Sequence, residues 1–490
     1  MKKILKIAII SLIATPVFAQ DEYYAFRFLD QDALRLTMPS LQGNARFVGM
    51  GGAFGALGGN LSALSTNPAS IGLYRRGEIS FTPALTFGQT EVRPADDRSR
   101  MSDPLWNFNM GNFGMVSAFD ISRSDSPNEW KMVHFGIGFN RIADFWNRSS
   151  YTRYASNPFL NVLTSEATMF GHPNYLTDDF FSGLAYDANL IHWDSATNEY
   201  WNWLNETGNG LRQTQTTRTT GAINEFVISF GANYGDFLYL GATIGVPSVN
   251  FTQEKFLRET ALPGQHPNFR EWSIQENLTI SGRGINLKLG AIVRPTDFMR
   301  VGLAFHTPTR FSLTEEFRTT ITNNENRRFR SPVTEFEYSI RTPMRVIGSL
   351  GFIINRTALI SMEYEVIDYR GMRLNDDFHS FDEDNEFIEN NYRTGGVFRI
   401  GAEFRLDPVS IRAGYNYTLS PFASNTYRNF SGHTFSGGLG FRLGTTTIDL
   451  AYVNTMRRFN KSPYAGMPND FFNRYSQSAH QFMVTFGWRF

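Results

Sequence analysis

Cysteine, long apolar runs and an excess of either charge are all missing from this sequence of 490 residues. Without cysteine the chain has no disulfide framework, no thiolate metal site, no cysteine nucleophile and no lipid-modified cysteine. Its 46 basic and 46 acidic side chains balance, whereas nucleic-acid-binding proteins usually carry a basic excess. Beyond the N-terminal region, no stretch approaches the roughly 20 apolar residues of a transmembrane helix.

Aromatic residues and glycine are abundant instead. The chain has 45 Phe, 20 Tyr, 8 Trp and 42 Gly, and aromatic residues make up 15% of it. Because aromatic residues favour strands, the composition predicts an all-β protein rather than a helix bundle or a soluble α/β enzyme.

The N-terminus has the pattern of a bacterial secretory signal peptide. Three lysines precede an apolar run over residues 7–13, and a small-x-Ala cleavage pattern ends at Ala19. The apolar run is too short to cross a bilayer. We therefore expect residues 1–19 to be removed and the mature chain to be exported.

From about residue 77 onward, apolar residues alternate with small or polar ones. Phe482, Val484 and Phe486 fall on one face of the last segment, and Met483 and Thr485 fall on the other. An outward apolar face opposite a face of Gly, Ser, Thr, Asn and Arg is typical of a transmembrane β-barrel with a polar lumen. The pattern predicts about fourteen strands, at residues 77–88, 107–119, 132–143, 223–235, 237–250, 274–294, 299–316, 335–353, 357–369, 393–406, 409–419, 432–443, 446–458 and 478–490.

The connections between these strands alternate between short and long. Bacterial outer-membrane barrels show this alternation because their periplasmic turns are short and their external loops are long. The largest external loop is predicted at residues 144–222. The chain ends on Phe490 in an amphipathic strand, which resembles the signal read by the outer-membrane barrel assembly machinery. We therefore expect residues 77–490 to form an outer-membrane barrel in contact with lipid and lipopolysaccharide.

Residues 20–76 do not follow the strand pattern. A short helix is predicted over Asp30 to Leu36, and small residues dominate from Gly49 to Gly59. A dinucleotide-binding G-x-G-x-x-G fails because its third glycine position holds Phe54. Small residues let backbone segments approach closely, which suits a segment folded inside a barrel.

The stretch Gly43–Phe54 and residues 67–73 (Asn-Pro-Ala-Ser-Ile-Gly-Leu) resemble the N-terminal hatch of the FadL family. Those proteins are outer-membrane channels for long-chain fatty acids and aromatic hydrocarbons, and their hatch carries Asn-Pro-Ala shortly before the first strand. The layout of hatch, fourteen strands and large early loop looks most like that of Bacteroidetes members. The resemblance implies passive uptake of a hydrophobic small molecule, gated by hatch residues Asn67, Pro68, Ala69 and Phe54.

Motifs for catalysis or metal binding are missing. The eight histidines form no H-E-x-x-H pair, and no G-x-S-x-G elbow occurs. The acidic run over residues 376–389 lacks EF-hand spacing and is expected to be a solvated loop, with Ca²⁺ binding as the alternative. No catalytic residue, metal site or cofactor is therefore predicted.

Several charged residues occupy inward positions of the predicted strands. Arg341 and Arg345 are expected near Glu363 and Glu365 of the next strand. One interpretation is an ion-pair network that fills the lumen around the hatch. The other is a station for a carboxylate or polar headgroup on a transport route, since charge-assisted pairing suits an anionic group.

Loop 144–222 is unusually rich in apolar residues for a solvated loop. Exposed apolar clusters usually mark a binding site or a packed interface. The loop therefore predicts an external groove that captures apolar molecules, or a loop domain that packs on itself and closes the mouth, and the two are compatible. The candidate residues are Phe159, Leu163, Phe170, Phe180 and Phe181.

Alternation slips in the third predicted strand, where the apolar phase shifts across Asn140 and Arg141. A slip of this kind predicts a bulge, which bends a strand and interrupts its ladder. In FadL-like channels an inward kink of the third strand opens the wall sideways. The resemblance therefore implies a lateral exit at Asn140 and Arg141.

Uptake of hydrophobic compounds is the preferred hypothesis, and two alternatives remain. Some FadL-like barrels in Bacteroidetes act as secretion-system partners that hand exported proteins across the outer membrane. A barrel enzyme with a Ser–His pair from different strands would instead hydrolyse lipid.

Overall fold

The computed structural model describes residues 29–38, 40–94, 101–122, 129–155, 158–204, 211–264, 268–355, 357–376, 380–423, 430–462 and 473–490. The predicted signal peptide, residues 1–19, lies outside these ranges. Within them, no helix is both long and apolar enough to cross a membrane.

Fourteen antiparallel strands close into a barrel, which confirms the prediction from the alternation. The barrel closes because the first strand pairs with the last, from Glu78 opposite Arg489 to Arg93 opposite Arg474. The strands are β1 (Glu78–Arg93), β2 (Met101–Asp120), β3 (Trp130–Asp144, continued as Asn147–Ala155), β4 (Leu211–Tyr234), β5 (Leu238–Ala261), β6 (Glu271–Val293), β7 (Met299–His306 and Arg310–Thr322), β8 (Thr334–Arg341 and Arg345–Ile354), β9 (Ala358–Asp368 and Arg373–Asn375), β10 (Thr394–Leu406), β11 (Val409–Thr418), β12 (Gly432–Leu443), β13 (Thr446–Lys461) and β14 (Asn473–Arg489).

Apolar side chains cover the outside of the barrel and polar ones face its lumen. On β14, Phe482 and Trp488 are exposed, whereas Thr485 between them is buried. Elsewhere the buried wall positions are divided between polar or charged side chains and apolar side chains, many of which join an apolar cluster at the external end. This distribution is the reverse of that in a soluble barrel, and it is the one that a lipid-facing wall requires.

Strands β4 and β5 extend farther toward the external loops than predicted. β4 and β5 have 24 residues each, whereas about 9–11 residues cross the hydrocarbon layer. Because β3 continues to Ala155 and β4 begins at Leu211, the large connection covers residues 156–210 rather than 144–222. The sequence pattern missed these extensions because their outward residues, such as Arg212 and Arg258, are polar.

Prolines interrupt β7 at residues 307–309 and β8 at residues 342–344. Outward positions switch between odd and even numbers across each interruption, since an extra residue turns the following side chains to the other face. Arg345 therefore faces the lumen, but Arg341 is exposed on the outer wall. The lumenal placement of Arg341 is wrong, because the prediction treated residues 335–353 as one unbroken strand.

Five α-helices and several short elements are present in the described ranges. The helix predicted over Asp30 to Leu36 is observed as the first of them. Helices α1, α3 and α4 join an apolar cluster with inward side chains of the extended strands β5–β8 at the external end of the barrel. The helices are α1 (Leu29–Thr37), α2 (Ala45–Gly49), α3 (Phe159–Phe170), α4 (Ser182–Asp187) and α5 (Asp382–Asn391), with 3₁₀ turns at Ser62–Ser65, Pro68–Leu73, Pro173–Tyr175 and Tyr369–Gly371 and short strands at His192–Asp194, Glu199–Trp201 and Arg328–Arg330.

Candidate functional site

Residues 40–76, called the lumen segment below, pass through the interior of the barrel. Glycines in the wall make room for it. A Cβ added to Gly241 of β5 would lie 2.3 Å from the carbonyl oxygen of Pro68, and one added to Gly401 of β10 would lie 2.2 Å from that of Met50. Wall and segment therefore touch backbone to backbone, which only glycine permits.

Asn67 holds the Asn-Pro-Ala turn in place. Its side chain accepts a hydrogen bond from the Ala69 amide at 3.1 Å and caps the 3₁₀ turn Pro68–Leu73. The same side chain donates to the carbonyl oxygen of Gly55 at 2.6 Å. Asn at a cap followed by Pro in the first turn is a favourable local sequence, so this motif has a structural reason for its residues.

Phe54 lies inside the lumen segment and is fully buried. Its ring centroid is 5.6 Å from that of Phe47, and the Arg46 guanidinium lies 5.3 Å from the ring. Arg46 in turn binds Glu403 of β10 at 2.9 Å and 3.2 Å. Phe54 thus packs as part of an anchor between segment and wall, and it does not line either cavity described below.

A chain of hydrogen bonds runs from the wall through the lumen segment to a buried ion pair. The Asn140 amide of β3 donates to the Ser65 hydroxyl at 2.7 Å, and that hydroxyl donates to Glu225 at 2.8 Å. The Lys288 ammonium lies 2.6 Å and 2.5 Å from the two oxygens of Glu225. Asn112 of β2 completes the chain by donating to Asn140 at 2.6 Å.

The ladder between β2 and β3 ends at this point. Pairing runs from Asp120 opposite Met132 to Asn112 opposite Asn140. No further pair forms between the described residues of these two strands, although β2 extends outward to Met101. The register of β3 against β4 also shifts at Arg141. The phase slip at Asn140 and Arg141 therefore corresponds to a break in the wall.

Beyond the break, the outer part of β3 contacts strands that are not its partners in the ladder. Its outer part still pairs with β4, but Tyr151 packs with Val92 of β1 and Tyr475 of β14. Side chains span the separation from β2: Asn107 of β2 donates to Asp144 at 2.9 Å, and Ser150 of β3 donates to Asp103 of β2 at 2.6 Å. Within β3, Arg141 pairs with Asp144 at 2.9 Å. Polar side chains therefore replace the backbone ladder between β2 and β3.

The lower cavity, of about 130 Å³, lies between the lumen segment and the wall. Ser65 and Asn140 line it together with the Glu225–Lys288 pair. Arg345 also lines it, and its guanidinium binds Glu365 at 3.2 Å and the carbonyl oxygen of Thr37 at 2.7 Å. The charges here are mutually satisfied, so the geometry favours an ion-pair network over an open anion station.

The upper cavity, of about 260 Å³, lies nearer the external loops between α1, β3 and β13. Four phenylalanines line it, and Arg457 lies 5.5 Å from the ring of one of them, Phe430. Arg35 of α1 is also in its lining, with the guanidinium 3.7 Å from the ring of Phe251. The rings of the lining belong to Phe145, Phe422, Phe430 and Phe459.

The five loop residues predicted as a capture groove lie elsewhere. Phe159, Leu163 and Phe181 are buried in the external apolar cluster, with Phe180 packed against it. The ring of Phe159 stacks on Trp272 at 6.4 Å, and Phe170 ends α3 without lining the upper cavity. The loop thus packs across the barrel mouth, as the second of the two loop interpretations expected.

The short hairpin of this loop is also packed. Burial, with the neighbouring Tyr186 hydroxyl, raises the pKa of Tyr200 to about 12. Burial lowers the pKa of His192, whose ring lies 4.6 Å from Trp201.

Sequence reasoning missed most of the upper cavity. Phe422 and Phe430 flank residues 424–429 in the connection after β11, and Phe459 lies in β13. Only the closure of the barrel brings these positions to α1 and β3, so no local pattern marks them. Part of the acidic run folds as α5, and no group of three metal-binding side chains occurs in the described parts of the chain.

Together these features define a transmembrane β-barrel whose lumen is occupied by its own N-terminal segment. This is the fold of the FadL-type outer-membrane channels, so the resemblance drawn from the sequence is confirmed at the level of the fold. The chain is similar to a FadL homologue of Pseudomonas aeruginosa, with 13% identity and a TM-score of 0.56 over 92% of this chain and 99% of that chain.

Two toluene transporters share the fold. TodX of P. putida has 14% identity and a TM-score of 0.53, and TbuX of Ralstonia pickettii has 16% identity and a TM-score of 0.50. Each comparison covers 92% of this chain and 99% of the other. No protein-family model matches the sequence, and no curated protein sequence does.

Proposed function

We propose that this protein is a passive channel of the bacterial outer membrane that takes up hydrophobic small molecules, such as long-chain fatty acids or aromatic hydrocarbons. The observation that carries the proposal is the break between β2 and β3, which lies directly beside an apolar cavity. Two solved structures with this fold are described as toluene transporters, which supports the same class of substrate.

Capture takes place in the upper cavity. Its four rings offer apolar contact to a hydrocarbon chain or an aromatic ring. Arg457 at its border suits the carboxylate of a fatty acid, because charge-assisted hydrogen bonds are strong where water is excluded, whereas Arg35 already pairs with Asp32 of α1. Asp144 also lines this cavity, but it is held by Arg141 and Asn107.

The route then follows β3. Residues 140–142 line the lower cavity, residues 143–145 line the upper one, and Ser40 lines both. A ligand leaves the upper cavity sideways between β2 and β3 and enters the outer leaflet, while the lumen segment keeps the pore closed to polar solutes. Movement of the turn at Asn67, Pro68 and Ala69, transmitted through Ser65 and Asn140, gates this exit.

Uptake of labelled long-chain fatty acids and toluene, by a bacterial host that lacks its own transporter, tests the proposal. We expect saturable uptake above the empty-vector control. Phe430→Asp places a charge in the upper cavity and should lower uptake severalfold at equal surface abundance. Tyr175→Asp, on the exposed 3₁₀ turn Pro173–Tyr175, is the matched control and should leave uptake unchanged.

The opposite result is equally informative. If the protein is folded at the cell surface but takes up neither compound, the proposal is contradicted. The secretion-partner hypothesis is then favoured. If uptake falls equally in the Phe430 and Tyr175 variants, the upper cavity is not part of the transport route.

A further inference from the structure

Arginines lie side by side on the outer wall of the barrel. In the ladder, Arg310 of β7 is opposite Arg341 of β8, and Arg341 is opposite Arg373 of β9. Arg283 of β6 is opposite Ser312, which makes it the diagonal neighbour of Arg310 on the same face. Arg283, Arg310 and Arg341 are exposed, and we call these three side chains the outer arginine row.

The row lies at the edge of the apolar belt. On β6, Ile285 and Leu287 follow Arg283 toward the short-turn end, and both are exposed apolar side chains. Leu303 on β7 and Val346 on β8 continue the belt. On the loop side of the row, the outward residues are polar. A barrel wall changes from apolar to polar where the hydrocarbon ends, so the row sits at the level of the lipid headgroups.

Carboxylates do not neutralise the row. No ion pair of Arg283, Arg310 or Arg341 forms with any described residue. Arg373 differs, because its guanidinium binds Glu389 at 3.0 Å. Like charges directly opposite each other destabilise a pair of strands. An anion from outside the chain would therefore reduce the repulsion between these three adjacent guanidinium groups at the membrane interface.

We propose that the outer arginine row binds the phosphate groups of lipopolysaccharide in the outer leaflet. Guanidinium groups bind phosphate through paired hydrogen bonds, and the lipid A headgroup carries phosphates at the depth where the row lies. Glu316, Glu335 and Glu337 lie on the same face farther from the belt, about 13 Å along β8 from Glu337 to Arg341. None of these three described carboxylates forms an ion pair with Arg283, Arg310 or Arg341.

This proposal depends on the outer-membrane location but not on transport. The test uses the full-length protein in detergent, with native mass spectrometry of added lipid A carrying two phosphates. The variant is Arg283→Gln with Arg310→Gln and Arg341→Gln. The matched control is Arg318→Gln with Arg328→Gln and Arg330→Gln, which removes three outward charges nearer the loops on the same side of the barrel. Altered gel mobility after boiling shows that each barrel is folded.

We expect the parent and the control variant to bind lipid A, and the row variant to bind at least about tenfold more weakly, since each basic group near an anionic lipid surface adds to binding. Lipid A without phosphates should bind all three proteins weakly. The proposal is overturned if the row variant binds as tightly as the parent, if the control loses as much, or if the dephosphorylated lipid binds the parent equally well. Inorganic phosphate that binds as tightly as the lipid would also overturn it.

Discussion

The side-chain amide of Asn140 lies 2.7 Å from the hydroxyl of Ser65 and joins the break in β3 to the lumen segment. Ser65 donates in turn to Glu225 of the adjacent strand β4, which forms the ion pair with Lys288 of β6. The wall and the lumen segment are therefore mechanically coupled at the place where the ladder ends. Movement of the segment has a direct path to the proposed exit.

Removing either partner of this bond should weaken both stability and uptake. Asn140→Ala and Ser65→Ala are each expected to lower the free energy of unfolding by about 1–2 kcal/mol, because a buried partner is left unsatisfied. The double variant should lose less than the sum, with a coupling energy of about 0.5–1 kcal/mol. Urea unfolding measures the cycle; strictly additive losses would show that the bond does not couple the two elements.

Gly241→Ala should displace the lumen segment. The new Cβ would meet the Pro68 carbonyl oxygen at 2.3 Å, whereas a Cβ at Gly348 of β8 would meet nothing within 4 Å. We expect Gly241→Ala to raise the ion conductance of the barrel in planar bilayers at least severalfold, with Gly348→Ala as the control. Unchanged conductance in the Gly241 variant would mean that the segment does not obstruct the pore.

Asp236 in the turn between β4 and β5 should make stability depend on acid pH. Partial burial alone would raise its pKa, but hydrogen bonds from Asn233, Lys131 and Arg75 outweigh burial and lower the pKa to about 2. A lowered folded-state pKa stabilises the barrel above the unfolded value near 3.8, and this stabilisation is lost as pH falls toward 2.

The substitution Asp236→Asn isolates this effect. The parent should be more stable than the variant by about 1 kcal/mol at pH 6, a figure already reduced for solvent screening, and the two should converge near pH 2. Asn tolerates the left-handed backbone of this position, where φ is 59°. A difference that stays constant from pH 6 to pH 2 would exclude titration of Asp236 as its source.

Phe490 should matter for assembly. Its amide donates to the Gly77 carbonyl oxygen at 3.0 Å, and a Cβ at Gly77 would lie 2.3 Å from the Phe490 ring. If the Phe490 ring is read by the barrel assembly machinery, Phe490→Ala should reduce the folded, heat-modifiable fraction in cells severalfold, and Phe482→Ala on the same face should not. Equal reductions would assign the effect to lost apolar surface on β14.

The strand alternation was enough to predict the barrel, because a lipid-facing wall imposes a period of two on every strand that crosses the membrane. The slip at Asn140 and Arg141 was equally readable, since one extra residue moves the apolar phase. Arg341 was misplaced for the same physical reason. The interruption at residues 342–344 exchanges the outward and inward positions of the strand. The sequence around the proline does not by itself reveal this exchange.

Contacts between distant parts of the chain could not be predicted from the sequence. Arg35, Phe145 and Phe459 meet in the upper cavity only because the barrel closes and α1 enters its mouth. The apolar character of Phe159 and Phe181 correctly indicated that they are buried. Composition alone, however, does not distinguish a packed plug from an open groove.

The most direct measurement concerns the side exit. Asn107→Cys with Asp144→Cys places a thiol on each side of the break, where the native side chains are 2.9 Å apart, and the parent chain contains no cysteine. A short bifunctional thiol reagent then ties β2 to β3. The control pair, Ser117→Cys with Phe135→Cys, lies opposite in the intact part of the same ladder.

Uptake of labelled toluene and long-chain fatty acid is measured before and after cross-linking. Lateral exit predicts that cross-linking the Asn107–Asp144 pair abolishes most uptake, that cleavage of the linker restores it, and that the control pair is unaffected. Full uptake through a barrel whose β2 and β3 are covalently joined at the break would contradict the proposed route.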